Sequence, residues 1–302
     1  MLESLLSWEE INDKPWLLFV WALIIGTVAV LISLQVSFEA GVAGSQVNLT
    51  GIFAIIFTEI PSIYLMTMLI KKEERLEEKY VREHYMKGFW IRHEKDAIML
   101  LLYFAGLTLN FALWSFFLPP DTFQIQLEKI NQIRGSVSGS ATAAASSGIL
   151  GFVSIFSNNM QVLLISFLFS FAFGAGAIFI LTWNASILGV FIGQLSKTVW
   201  DIPAVSAAFL PHGIPEIAGY LIAGLGGGII SAAMIRKVPS GTLRIILLDG
   251  LKLLLVGALL IVFGALVEAL VSGPALVVIF FAEVAVLAAL FASITHKNPL
   301  EP

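Results

Sequence analysis

Apolar residues run through this chain in long blocks separated by short polar connections, with little of the alternation expected of half-buried strands. A helix needs about 20 apolar residues to cross the hydrocarbon of a bilayer. Blocks of that kind are predicted at Trp16–Val36, Thr50–Ile70, Ala97–Leu118, Met160–Thr182, Asn184–Trp200, Ile214–Ile235, Ile245–Val271 and Ala275–Ile294. The expected fold is therefore an all-α polytopic membrane protein with about eight transmembrane helices.

Three connections carry information. Residues 71–97 are dense in charge of both signs, and Glu78 with Arg82 and Glu83 with Lys87 have the i,i+4 spacing that supports a helix. This is expected to be a helical excursion extending the second and third spans. Residues 120–148 begin with a short amphipathic helix (Phe123, Leu127, Ile130) and end in GSVSGSATAAASSG, small residues that cannot build a core. Residues 236–244 form a short basic loop. With eight spans, Lys14, the basic residues of 71–97, Arg236, Lys237, Arg244 and Lys297 share one side, leaving Lys129, Arg134 and Lys197 on the other and Lys252 within a span. Basic residues are retained inside, so both termini are expected in the cytoplasm. The acidic start (Glu3, Glu9, Glu10, Asp13) is wrong for a secretory leader, and the first apolar run is expected to be a retained span. The chain then divides into a three-span region 1–120, a flexible external loop 121–147, a membrane core 148–236 and a two-span hairpin 237–302.

Composition narrows the chemistry. Only 13% of the 302 residues are charged, mean hydropathy is +0.92 and there is no cysteine. Disulfides, thiolate metal sites and cysteine nucleophiles are excluded. No basic arm points to nucleic acid, and no metal or cofactor is called for. The expected partners are the bilayer, a second copy of the chain, and other envelope proteins.

Three places interrupt the simple span pattern: GILGFVSIFSNNM (148–160), TWNAS (182–186) and PAVSAAFLPHGIPE (203–216). Proline breaks a helix interior, and irregular backbone at membrane depth survives only in protein or beside a water-filled cavity. Residues 149–159 and 203–211 therefore read either as re-entrant half-helices or as interfacial helices at the outer surface. His212 and Glu216 are four apart and would share a helix face, with Asn158, Asn159 and Asn184 completing a polar cluster. A charged group within the bilayer is a functional candidate by default. The alternative is that His212 caps a broken helix and Glu216 satisfies the amides of the next one, where anions are favoured. Glu59, Asp249, Lys252, Glu268 and Glu283 are the other intramembrane ionisable residues. Asp249 and Lys252 are spaced to pair. Glu59-Ile60-Pro61-Ser62-Ile63 faintly echoes Gly213-Ile214-Pro215-Glu216-Ile217.

FSNNMQV, FAFGAG, TWNASILGVFIG and above all LPHGIPEIAGYLIAGLGGG, in that order, resemble the stage II sporulation protein M family of polytopic membrane proteins. The match runs from about Gly148 to Arg236. The resemblance implies fold and membrane location rather than a reaction. The family's namesake in spore-forming bacteria implies an envelope-remodelling assembly with peptidoglycan-cleaving partners.

Small residues at Gly189 and Gly193, at Gly219, and at Gly224 and Gly228 are spaced for close helix packing. They are expected to form a seam, either between two copies of the chain or within one. Glu77-Glu78-x-x-x-Arg82 and Phe89-x-x-x-His93 match two motifs of the intramembrane CAAX-processing proteases. Both lie in one charged segment and no H-x-x-x-N follows, so an enzyme is not expected. The leading expectation is a structural or assembly protein of the cell membrane. The competing one is a carrier or channel for a small ion or solute, built on the Asn/His/Glu cluster.

Overall fold

The computed structural model describes residues 11, 14–36, 38–42, 45–64, 67, 89–139, 149–174, 176–271, 275, 278–279, 281–286 and 289. Its helices are α1 (Leu17–Val36), α2 (Thr50–Tyr64), α3 (Phe89–Phe117), α4 (Gln124–Gly139), α5 (Ile149–Phe173), α6 (Ala177–Leu195), α7 (Asp201–Ile235) and α8 (Ser240–Leu270). Two strands, β1 (Glu39–Val42) and β2 (Ser45–Asn48), form an antiparallel hairpin between α1 and α2. Six helices are long and apolar enough to cross a membrane: α1, α3, α5, α6, α7 and α8. Helix α2 is apolar but shorter as described, and the predicted span Ala275–Ile294 lies largely outside the described residues, as does most of the charged excursion 71–97.

The helices pack in two groups. In the first, α3 lies between α1 and α6, and its buried Tyr103 and Leu107 join Leu18 and Ala22 of α1 and Ala185 of α6. Thr27 of α1 donates to Asn110 of α3 at 2.8 Å, a polar contact of the kind that joins helices in lipid. In the second, α7 is central and packs on α5 and α8; Leu225, Ile229 and Leu253 form its core. The hairpin, a 3-10 turn at Pro120–Phe123 and α4 gather at one end of the bundle. There Gln124 accepts from the Asn48 amide at 2.9 Å and Gln126 donates to the Gly51 carbonyl at 3.1 Å. Phe123 and Ile130 are buried, so the amphipathic start expected for 121–147 is a packed helix and not a flexible loop; residues 140–148 are outside the description.

Three expectations need correction. Residues 149–159 are not a separate half-helix, because α5 is one continuous helix of 25 residues. Residues 203–211 are likewise continuous with α7, a helix of 35 residues that contains Pro211 and Pro215. Lipid offers no hydrogen bonds to a broken backbone, and helix continuity leaves only the carbonyls opposite the two prolines without a helical donor. The third correction concerns the turn after the fourth span. It falls between the end of α5 at Phe173 and the start of α6 at Ala177 instead of at TWNAS, so Thr182 to Ser186 lie inside α6. Gly174 has φ 67°, a left-handed conformation open to glycine and a common way to end a helix.

The glycines explain why α7 tolerates such a poor helical sequence. A β-carbon added at Gly219 would lie 2.8 Å from the Gly257 carbonyl oxygen, and one at Gly257 would lie 2.7 Å from that of Gly219. Gly226 and Gly250 repeat this reciprocal approach, at 2.8 and 2.9 Å. On the next face, a β-carbon at Gly227 would lie 3.0 Å from the Phe171 amide nitrogen of α5. Each glycine in a helix costs about 1 kcal/mol against alanine in water; here the missing side chain lets two neighbours approach the same helix. Gly189 and Gly193 are used in the same way against α3, where added β-carbons would lie 2.7 Å from Phe111 Cβ and 3.0 Å from Ser115 Cβ. The expected seam therefore lies within one chain at Gly189, Gly193 and Gly219. Gly224 and Gly228 are buried in α7.

Gly219→Leu is expected to lower stability in detergent by about 1–3 kcal/mol through overpacking. Gly241→Leu, where a β-carbon meets nothing within 4 Å, is expected to leave it unchanged. Thermal unfolding of the two purified variants checks this.

Candidate functional site

The polar residues of α5 and α7 meet where α8 crosses them. Asn159 and Glu216 are both buried, at 8% exposure each. Asn159 Nδ2 donates to Glu216 Oε1 at 2.5 Å, and the Tyr220 hydroxyl donates to Asn159 Oδ1 at 2.8 Å. The carboxylate can only accept and the amide carries one donor end and one acceptor end, so the two bonds together fix the amide's orientation. Helical geometry places Glu216 and Tyr220, four residues apart, on one face of α7. Asn158, the exposed neighbour, donates to Asn159 Oδ1 at a longer 3.3 Å.

The third side of the site is α8. A β-carbon at Gly264 would lie 2.5 Å from Glu216 Cγ and 3.0 Å from the His212 carbonyl oxygen. Glycine at 264 lets α8 pass directly over the Glu216 stem. One turn further along α8, the exposed Glu268 is near enough for its charge to act on Glu216, His212 and Tyr220.

The other residues singled out in the sequence fall around this centre. His212 is half-buried, its ring edge-on to Phe209 with centroids 6.3 Å apart. It belongs to the centre through its backbone and its proximity to Glu268. Asn184 does not join Asn159: its side chain donates to the Ile180 carbonyl of its own helix at 2.7 Å. It lines a small apolar crevice whose wall also includes Ser166, Ile217 and Tyr220, the residue that donates to Asn159. Glu216 does not face amides freed by a helix break, because α7 has no break there; its bond goes sideways to α5. Asp249 and Lys252 pair at 2.7 Å as their spacing anticipates.

At the start of α7 the exposed Asp201 accepts from the amides of Thr198 at 2.7 Å and Lys197 at 3.1 Å. The Thr198 amide, chiefly, holds its carboxyl below the usual range. This turn fixes how the chain enters α7 and places no group in the membrane.

Sequence reasoning missed Tyr220 and Gly264. Tyr220 was legible as the residue one turn after Glu216. Gly264 was legible from the seven-residue spacing of Gly250, Gly257 and Gly264. Among the described residues no group of three or more His, Asp or Glu converges as metal ligands. Chemically, the site is a buried carboxyl, an amide and a phenol in one chain of hydrogen bonds.

Long apolar helices joined by buried polar contacts define a polytopic α-helical membrane protein. The stage II sporulation protein M profile matches residues 95–273, more than half of the chain, and the protein belongs to that family. The matched region is wider than the motifs alone indicated, extending to α3 and α8, the helices on which the glycines of α6 and α7 pack. An uncharacterized protein of Methanocaldococcus jannaschii is 32% identical over 125 residues, which span 40% of this chain and 70% of the relative. No solved structure matches the chain.

Glu216→Gln is expected to keep the fold, because the amide still offers Asn159 an acceptor. Glu216→Leu strands the Asn159 donor and is expected to cost about 1–3 kcal/mol. Unfolding of the two variants in the same detergent checks the difference.

Proposed function

We propose that this protein is a non-catalytic, multi-pass component of the cell envelope with a structural or assembly role. It spans the membrane eight times with both termini in the cytoplasm, as the distribution of basic residues supports. One observation carries the functional reading. The Asn159–Glu216–Tyr220 hydrogen bonds tie α5 to α7, Gly264 lies against the Glu216 stem, and the crevice beside Tyr220 is apolar. Such a centre fixes helices in place, as buried polar contacts do in lipid. The family's association with envelope remodelling supports a role alongside other envelope proteins.

The outward face of α5, with Val153, Leu164, Leu168 and Phe171 exposed, is the apolar surface available to lipid or to such a partner. Self-association through Gly189 or Gly219 is not part of the proposal, because both glycines are occupied within the chain.

A second reading, a small-ion carrier, is favoured by the burial of a carboxyl at membrane depth, a position that marks ion and proton pathways in many transporters. Ion flux into liposomes separates the two. The purified protein, reconstituted and tested against Na⁺, K⁺ and H⁺ gradients, is expected to add no flux above protein-free vesicles. Flux that disappears in Glu216→Gln would establish the carrier and overturn the structural role.

A further inference from the structure

A second carboxyl is buried in the other group of helices, and nothing in the centre around Glu216 uses it. Glu59 lies nine residues after the start of α2, about 13 Å along a helix axis, and is 7% exposed. It is surrounded by hydroxyls from three helices. Thr182 of α6 and Tyr103 of α3, both fully buried, are close enough for the Thr182 hydroxyl and the Glu59 carboxyl to act on each other and for Tyr103 to feel the Glu59 charge. Ser62, one turn along α2 and also fully buried, contacts the Tyr103 hydroxyl.

The directions of these bonds matter. Ser62 donates its proton to the Thr58 carbonyl at 2.5 Å. In the Ser62–Tyr103 contact the donor is therefore Tyr103, which leaves the phenol oxygen free to accept. Glu59 Oε1 and Thr182 Oγ1 have no hydrogen-bond partner. Among the described residues no Lys, Arg or His acts on Glu59; Tyr103 is the titratable group that faces it, and Asp96 is buried two turns before Tyr103 on α3. A bare carboxylate in such surroundings is costly. Among the described residues, the site holds acceptors in plenty and no positive charge.

We propose that Glu59, with Thr182, Tyr103 and Ser62, forms an intramembrane proton-binding site. The Glu59 carboxylate takes one proton from water, forming an O–H bond, and becomes a neutral acid that donates to Thr182 Oγ1 or the Tyr103 oxygen. Release returns the same proton to water and restores the carboxylate. The Thr182 hydroxyl accepts from the protonated form and donates to the ionised one, so the site is served in both states. This does not rest on the structural role proposed above, since a bound proton requires no flux.

The test is infrared spectroscopy of the full chain in lipid nanodiscs near neutral pH, read at the carbonyl band of protonated carboxyl groups. Glu59→Gln is expected to remove one component of the band, and that component is expected to persist in Glu216→Gln. Transfer to D₂O is expected to shift it, which shows that the proton exchanges. A folded Glu59→Gln protein with an undiminished band would overturn the proposal. Should that variant fail to fold, Thr182→Val keeps the carboxyl and removes its partner. A shifted component there supports the site, and an unshifted band overturns it.

Discussion

The approach of α7 to α8 through glycine is the contact on which the rest of this structure depends. In lipid the apolar side chains of two helices gain little from each other that they do not already have from acyl chains, so close backbone packing and polar contacts must hold helices together. Here Gly219 meets Gly257 and Gly226 meets Gly250, each pair reciprocally and seven residues apart on an antiparallel register. The same register, carried one further heptad, brings Gly264 over His212 and Glu216. A seam repeating every seven residues keeps one face of each helix toward the other. Once that register is set, the rotation of α7 about its axis is fixed as well.

That rotation creates the polar centre. With Gly226 turned to α8, Gly227 is turned to α5, and the Glu216–Tyr220 face of α7 is presented to Asn159. The carboxyl is thus held by geometry imposed along the whole helix pair and then satisfied locally by one amide. Shifting the register by one residue would move Gly264 off the Glu216 stem and bring a side chain against it. The second buried acid, Glu59, is carried by α2, whose Ala54 and Ile55 pack with Val30 of α1, Phe111 of α3 and Val190 of α6.

Much of the fold was legible in the sequence because membrane-spanning helices announce themselves by length and apolarity. Trp16–Val36 nearly coincides with α1, and Ala97–Leu118 with the apolar part of α3, Lys95–Phe117. Boundaries failed where two signals competed. Asn158-Asn159 and Pro211-His212-Gly213 looked like breaks because polar and helix-breaking residues usually end helices. In lipid the backbone has no better partner than itself, and the Asn159 side chain finds its acceptor on a neighbouring helix instead. The true turn at Gly174 was hidden because FAFGAG reads as apolar, and only a left-handed φ distinguishes it from packing glycines. Asn159 was placed beside Glu216 as part of a polar cluster around a broken helix; the contact exists, but in a continuous helix it joins two side chains and satisfies no freed backbone. Asn184 was drawn in on composition alone, although a helical asparagine can satisfy itself on the carbonyl four residues back, as this one does on Ile180.

Asn159 and Glu216 act as one unit joining α5 to α7. A double-mutant cycle tests this most directly, with unfolding free energy in detergent measured for Asn159→Leu, Glu216→Leu and the pair. The double variant is expected to lose less than the sum of the singles, by about 1–3 kcal/mol, because the second substitution removes a group already left unpartnered. Additive losses would show that the two residues stabilise the protein independently and would contradict this.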